Sequence, residues 1–246
     1  MSGRTLLGVW AHPDDEAYLS AGLMAEFRRR GDRVVVVTAT LGERGTSDPL
    51  AWPPERLAPL RREELRRSLA AVGVEELHVL GLPDGECDQH DATDAIAGFI
   101  TVLEPDLVVT FGPDGMTGHP DHRAVSRWTT QAMDVAQPGI TLWYATLTDD
   151  FHRRWGGLND EIGLWAEQGE PPRIVDGDHF HTTVLPDDLL DLKLAALEAH
   201  ASQTRPLIEL VGAATYREWW RSESFRAPRP DESAAAMAVA TQGAAG

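Results

Sequence analysis

The stretch Trp10-Ala11-His12-Pro13-Asp14-Asp15-Glu16 places one histidine and three carboxylates in a single turn, directly behind the apolar run Leu6-Leu7-Gly8-Val9-Trp10. Acids are favoured in a first helical turn by the helix dipole, so a charged helix start is the plain reading of Asp14, Asp15 and Glu16. A second turn of the same kind, Gly118-His119-Pro120-Asp121-His122, follows another apolar run, Leu107-Val108-Val109-Thr110-Phe111. Two His-Pro-Asp turns, each at the mouth of a strand, read as one site assembled from two ends. Proline has a fixed φ and no amide hydrogen, which suits the first position of a helix and biases the preceding residue towards extended backbone. The first turn therefore predicts strand exit at His12 and helix entry at Pro13.

A catalytic zinc site takes three ligands from histidine and carboxylate and keeps one position open for water. His12, Asp15 and His122 supply that set. His12 and Asp15 are three residues apart across a helix start and can point to one side, and His122 occupies the equivalent place in the second turn. Zinc lowers the pKa of bound water to about 7 and polarises a carbonyl oxygen. Asp14, beside a ligand, is the candidate general base. His119 is placed to act as a cation on an oxyanion or on a leaving amine, and Asp121 to hold the His119 imidazole. The parts add up to hydrolysis of an unactivated acyl bond. The same donors also admit a non-haem iron oxygenase, a structural metal closed by a fourth side chain, or a non-catalytic sugar- or metal-binding module. The spare acid at Asp14 argues against the oxygenase, and Asp14 together with His119 argues against the binder.

Positioning these turns requires alternating strands and helices. Residues 16–30 carry Leu19, Leu23, Met24 and Phe27 at helical spacing, and Gly31-Asp32 stops the helix. Val34 to Val37 is a continuous β-branched run of the kind buried on both faces of a parallel sheet. A Pro-bearing irregular loop leads to a helix over 57–72, a strand over 77–80, a helix over 94–103 and the strand 107–111. This order predicts an α/β fold: a Rossmann-like, open, mostly parallel sheet with helices on both faces. In the common strand order the first and fourth strands are neighbours. The active site then lies at their carboxyl ends. A dinucleotide in that crevice needs a glycine-rich first turn, and this acidic one would repel phosphate. Further on, the sequence predicts a helix to about Ala136, a strand over 140–148, an insertion or lid over 149–177, a strand over 179–184 and a helix over 186–201. The domain spans 1–227, and the Ala-rich tail 228–246 reads as disordered.

The chain of 246 residues can bury a substantial core. Its formal charge of −17 argues against nucleic acid and for a small-molecule substrate. Cys87 is the one cysteine, which excludes a Cys-rich zinc cluster and leaves histidine and carboxylate to hold any metal. No apolar run approaches transmembrane length, and the sequence reads as cytoplasmic. Self-association into a homo-oligomer is compatible with it.

The pair Ala11-His12-Pro13-Asp14-Asp15-Glu16 and Gly118-His119-Pro120-Asp121-His122 resembles the PIG-L/LmbE family of zinc-dependent N-acetylglucosaminyl de-N-acetylases, over roughly residues 5 to 205. The resemblance implies removal of an acetyl group from an N-acetylglucosamine-type conjugate. It implies zinc at His12, Asp15 and His122, Asp14 as general base, and His119 as acid or electrostatic partner. Another divalent metal such as Fe2+ suits the same donors. Looser matches at Gly42-Glu43, at Arg61 with Glu64, and at Pro83-Asp84-Gly85 imply substrate contacts from Glu43, Arg61 and Asp84. The segment 193–203 is similar to the family's last helix. One departure stands out: mycothiol-type members carry a tyrosine two residues before the second motif, where this chain has Thr117.

Overall fold

The computed structural model describes residues 3–134, 139–163 and 180–232. Strands β1 (Thr5–Trp10), β2 (Arg33–Thr38), β3 (Glu76–Val79), β4 (Leu107–Phe111) and β5 (Thr141–Ala145) pair in parallel. Two later strands, β6 (Phe180–Val184) and β7 (Ser222–Arg226), extend the sheet to the order β3-β2-β1-β4-β5-β7-β6, with β7 antiparallel to both neighbours. The helices are α1 (Asp15–Arg29), α2 (Pro54–Ala71), α3 (Thr93–Leu103), the short α4 (Gly115–Gly118), α5 (Pro120–Asp134), α6 (Asp149–Glu161), α7 (Asp187–Ala199), α8 (Ala201–Val211) and α9 (Ala213–Trp219). One layer joins α1, α2 and α7, and a second joins α3 and α5. The β-branched run of β2 and the apolar runs of β1 and β4 are buried because a helix layer covers each face.

The α/β fold class and the adjacency of β1 and β4 are as the sequence predicts, and the crevice at their carboxyl ends is the switch point of the sheet. The end of β1 is pinned from both sides. Thr40 donates its amide to the Ala11 carbonyl at 2.9 Å and its hydroxyl to the same oxygen at 3.1 Å, while the Thr110 hydroxyl donates to the Val9 carbonyl at 2.9 Å. His12 therefore leaves a fixed strand end.

Two expectations are corrected, and two more fall only partly within the described residues. Helix α1 starts at Asp15 rather than Pro13, because Asp14 takes a left-handed conformation (φ 106°) and donates its amide to Glu16 Oε2 at 2.9 Å. The helix expected over 186–201 ends at Ala199, and α8 restarts after His200. Within the expected insertion 149–177, residues 149–161 form α6, started by the Thr148 hydroxyl accepting from the Phe151 amide, and residues 164–177 lie outside the described residues. The expected tail begins as ordered chain, since both Glu232 carboxylate oxygens accept from Arg226 at 2.7 Å; residues 233–246 lie outside the described residues.

Strand β7 also reaches into α1. The Glu223 carboxylate accepts from the amides of Gly22 (2.8 Å) and Leu23 (2.9 Å), in the middle of that helix. Lys193 of α7 donates its ammonium to Glu223 Oε1 at 2.9 Å and to the carbonyl of Tyr18, four residues before Gly22, at 2.7 Å. The ion pair thus serves donors and acceptors of a single turn of α1. Gly22 is required there, because a Cβ would lie 2.4 Å from Leu185 Cδ2. Both side chains are buried, so removing one partner strands the other without water. Glu223→Ala is expected to destabilise the fold by about 3–5 kcal/mol, read as a lower urea midpoint. A change below about 1 kcal/mol would show that the pair does not brace α1.

Candidate active site

Both ring nitrogens of His12 are engaged, on opposite sides. Nδ1 lies 3.1 Å from His122 Nε2 and 3.6 Å from Asp15 Oδ2, and His122 Nε2 lies 3.4 Å from Asp15 Oδ1. Nε2 faces Asp121 Oδ2 at 3.0 Å and Asp84 Oδ1 at 3.2 Å. Ligands at 2.0–2.1 Å from a tetrahedral zinc stand about 3.3 Å from one another; in the His12–Asp15–His122 triangle the two rings approach that spacing, and Asp15 meets them through different oxygens, Oδ2 towards His12 and Oδ1 towards His122. Among the described residues the sets whose donor atoms all lie close enough to share one ion are His12, His119 and His122, and His12, Asp84 and Asp121. In that second cluster the carboxylates are already engaged by amides: Asp121 accepts from Gly85 and Cys87, and Asp84 from Arg44. It therefore reads as support for the His12 ring rather than as a metal cage.

His122 is held for the same orientation. Its ring stacks on Phe111 with centroids 4.1 Å apart, and its Nδ1 donates to the Gly115 carbonyl at 3.0 Å, with the Thr117 hydroxyl at 3.3 Å. This leaves the lone pair on Nε2, facing His12 and Asp15.

The electrostatics favour a cation at His12. Burial alone would lower its pKa, but the Asp121 and Asp84 hydrogen bonds and the Asp15 charge raise it to about 10. Asp15 is pushed up to about 7 by burial, partly offset by His12. The Asp121 carboxyl is held well below the usual range: its burial is outweighed by His12 and two backbone amides. His122 is held well below 6.5 by burial and the His12 and His119 charges, and His119 is lowered by burial and His12. An unprotonated imidazole at 122 and a region that attracts positive charge at 12 suit a metal ion as well as a proton.

Asp14 stands beside the triangle in a strained backbone conformation of the kind that collects at functional sites. Its carboxylate sits 3.2 Å from Arg61 Nη2, and burial raises its pKa although Arg61 opposes this. Arg61, expected to meet substrate, lines the polar cavity, but its guanidinium also holds backbone: it donates Nη1 to the Gly42 carbonyl and Nη2 to that of Pro13, each at 2.6 Å, and leaves Nε without a partner. Gly42 (φ 61°) admits that guanidinium, since a Cβ there would lie 2.1 Å from Nη1. Glu43 turns away to accept from the Asp84 amide at 2.9 Å, and it does not line the cavity beside the triangle. Asp84 lines that cavity but is partly occupied by His12 and the Arg44 amide. Asp121, expected to hold His119, holds His12 instead; only its backbone amide meets His119, donating to Nδ1 at 3.1 Å and leaving His119 Nε2 free.

Residues the sequence reading did not assign complete the support. Glu16, read in the sequence only as part of an acidic helix start, is buried and accepts from His200 Nε2 at 2.8 Å, from the Ser68 hydroxyl at 2.9 Å and from the Asp14 amide. Burial would raise the Glu16 pKa, but His200 outweighs it and the group lies below its usual value. Both Glu64 oxygens accept from Ser202, and Gln203 donates to the Gly45 carbonyl, so the segment after α7 clamps α2 and the loop after β2. The sequence signals for these contacts were the similarity over 193–203, the looser match at Glu64 and the place of Glu16 in the first motif.

The crevice splits into two cavities that share Asp14, Asp15, His122 and Gln203. One, of about 300 Å³, is polar and includes Arg44, Asp84 and His119; the other, of about 270 Å³, is largely apolar. A further cavity of about 530 Å³ lies between α1 and the β5–β7 strands and is lined by none of the candidate residues.

Fold and site together define an α/β protein with a buried His/Asp cluster at the switch point of its sheet. The chain belongs to the PIG-L family: residues 7–133 match the family described as GlcNAc-PI de-N-acetylase. It is 32% identical, over 80% of its own length and 73% of the relative's, to a 1D-myo-inositol 2-acetamido-2-deoxy-alpha-D-glucopyranoside deacetylase of Mycobacterium sp. (strain JLS). Similar solved structures include the N,N'-diacetylchitobiose deacetylase of Pyrococcus horikoshii (TM-score 0.61, 20% identity, 91% of this chain and 83% of that one). They also include the 4-carboxy-2-hydroxymuconate hydratase of Pseudomonas putida KT2440 (TM-score 0.58, 18% identity, 92% and 97%).

Because Arg61 is spent on two backbone carbonyls and Asp14, Arg61→Lys is expected to lower the melting temperature and to reduce kcat/KM by the same factor on a sugar amide and on a minimal acetamide. A loss confined to the sugar amide would return Arg61 to substrate binding.

Proposed function

We propose that this chain is a metal-dependent amidohydrolase that removes the acyl group from an N-acetylglucosamine-type conjugate, with zinc held by His12 Nδ1, His122 Nε2 and the Asp15 carboxylate. The observation that carries the reading is the convergence of His12 Nδ1, His122 Nε2 and the two oxygens of Asp15, in contacts of 3.1–3.6 Å, with the spare carboxylate of Asp14 lining the same cavity. The named activities of the mycobacterial and Pyrococcus relatives, both deacetylations of amino-sugar compounds, support the substrate class. The hydratase neighbour is a reminder that the fold alone does not set the reaction.

Zinc at this place would supply acidified water and polarise the substrate carbonyl. The protein's own part follows from the positions of its side chains. Asp14 takes a proton from water as the water oxygen adds to the carbonyl carbon. Its burial makes it a stronger base than an exposed aspartate, and Arg61 fixes its direction. His119 presents Nε2 to the leaving nitrogen, since its Nδ1 is held by the Asp121 amide. The C–N bond breaks, the proton from Asp14 completes the amine, and the acyl group departs as the acid. Asp121 keeps the His12 ring turned so that Nδ1 is the donor. Sugar hydroxyls find partners in the polar cavity among Arg44, Asp84 and Gln203. Among the described residues no helix is long and apolar enough to cross a membrane.

Released acetate and free amine from N-acetylglucosamine conjugates test the reaction. Asp15→Ala and His122→Ala are expected to lose the metal by elemental analysis, whereas Asp14→Asn keeps metal and fold and loses about 10² to 10⁴ in rate. A metal-free Asp14→Asn, or one as active as wild type, would reverse the roles. Asp121→Asn is expected to weaken zinc affinity by about 10- to 100-fold in a chelator competition, and unchanged affinity would reduce it to a structural residue.

A further inference from the structure

The two cavities that meet at Asp14, Asp15 and His122 differ in kind, and the difference carries a statement about the acyl group. His119 lines only the polar cavity, so the leaving amine and its sugar lie on that side. Whatever is bonded to the other side of the carbonyl carbon must then point into the second cavity, whose walls beyond the shared residues are Thr117 and the largely apolar Tyr18, Leu19, Met116, Leu147, Leu207 and Trp220. Its volume is about 270 Å³. A methyl group needs on the order of the 30 Å³ that a water molecule occupies in the liquid, so an acetyl group would leave most of this space unfilled.

The polar side chains on its wall have partners in the protein: the Thr117 hydroxyl lies 3.3 Å from His122 Nδ1, and Gln203 donates to the Gly45 carbonyl. The Tyr216 hydroxyl donates to that of Tyr18 at 3.0 Å, and the Trp220 ring packs on Tyr18 with centroids 4.6 Å apart. Met116 is held in a strained backbone conformation (φ 64°, ψ −51°) by its amide donating to Asp114 Oδ1 at 3.0 Å, and this keeps a soft thioether chain at the wall.

Resting on the hydrolytic reading above, we infer that the cavity is an acyl chamber and that the preferred leaving acid carries an apolar chain of several carbons rather than acetate alone. Chain-length preference follows from burial: two added methylenes are worth about a tenfold gain in binding.

Straight-chain hydroxamates test this without turnover, because their acyl end must lie where the substrate's does. Acetohydroxamate, butyrohydroxamate and hexanohydroxamate are titrated calorimetrically into the zinc-loaded protein. Kd is expected to fall about tenfold at each step, and Leu207→Trp, which fills the chamber, is expected to bring the hexano-to-aceto ratio close to one. Leu19→Phe provides the same comparison if the first variant does not fold. Equal or rising Kd with chain length in the wild type would overturn the inference, as would a ratio untouched by both substitutions. Hydrolysis of N-acetyl- and N-hexanoylglucosamine is followed alongside. Chain-length-dependent, variant-sensitive binding with neither amide cleaved would support the chamber and remove the hydrolytic reading instead.

Discussion

The two-sided environment of the His12 imidazole is the constraint on which the rest of the site depends. One nitrogen must face His122 and Asp15 while the other is kept by Asp121 and Asp84, and a rotated ring would lose both sets of contacts. The strand order makes this affordable: β1 and β4 deliver His12 and His122 to the same crevice, and the loop after β3 brings Asp84 and the amides of Gly85 and Cys87 to meet them. Threonines at the ends of the neighbouring strands fix the β1 exit, and the stacked Phe111 fixes the second ring.

So many acids in one buried place must be compensated, and the compensation comes from outside the two motifs. Arg61 neutralises Asp14 while gripping the loops on either side, and His200 does the same for Glu16. Lys193 and Glu223 repeat the pattern deeper in α1. Each pair is a poor bargain for stability alone, since desolvating two charges is costly and apolar replacements are often as good. Here each pair also hydrogen-bonds backbone, which an apolar replacement could not do.

The two His-Pro-Asp turns and the alternation of apolar runs made the parallel half of the sheet and the neighbourhood of His12, Asp15 and His122 legible, because both are local in sequence. What sequence did not reveal was which acid serves which histidine. Asp121 lies two residues from His119, yet it holds His12, more than a hundred residues away, because the helix entry turns its side chain across the crevice. Arg61 and Glu43 were expected as substrate contacts, and only the closing of loops upon one another shows that they also serve as internal ties. Strand β7 was missed altogether: Ser222-Glu223-Ser224-Phe225-Arg226 has no continuous apolar run, and it forms by adding to an edge already present.

The brace between β7 and α1 has a consequence for how the protein is made. Every candidate metal ligand lies within the first 122 residues, yet Lys193, His200 and Glu223, which hold the helix after the first turn in place, leave the ribosome much later. A nascent chain that has already emitted both motifs still lacks the groups that set their geometry. Synthesis through Glu223 is therefore what turns two acidic loops into a site, and a chain interrupted before it would carry the candidate ligands without the frame that aims them.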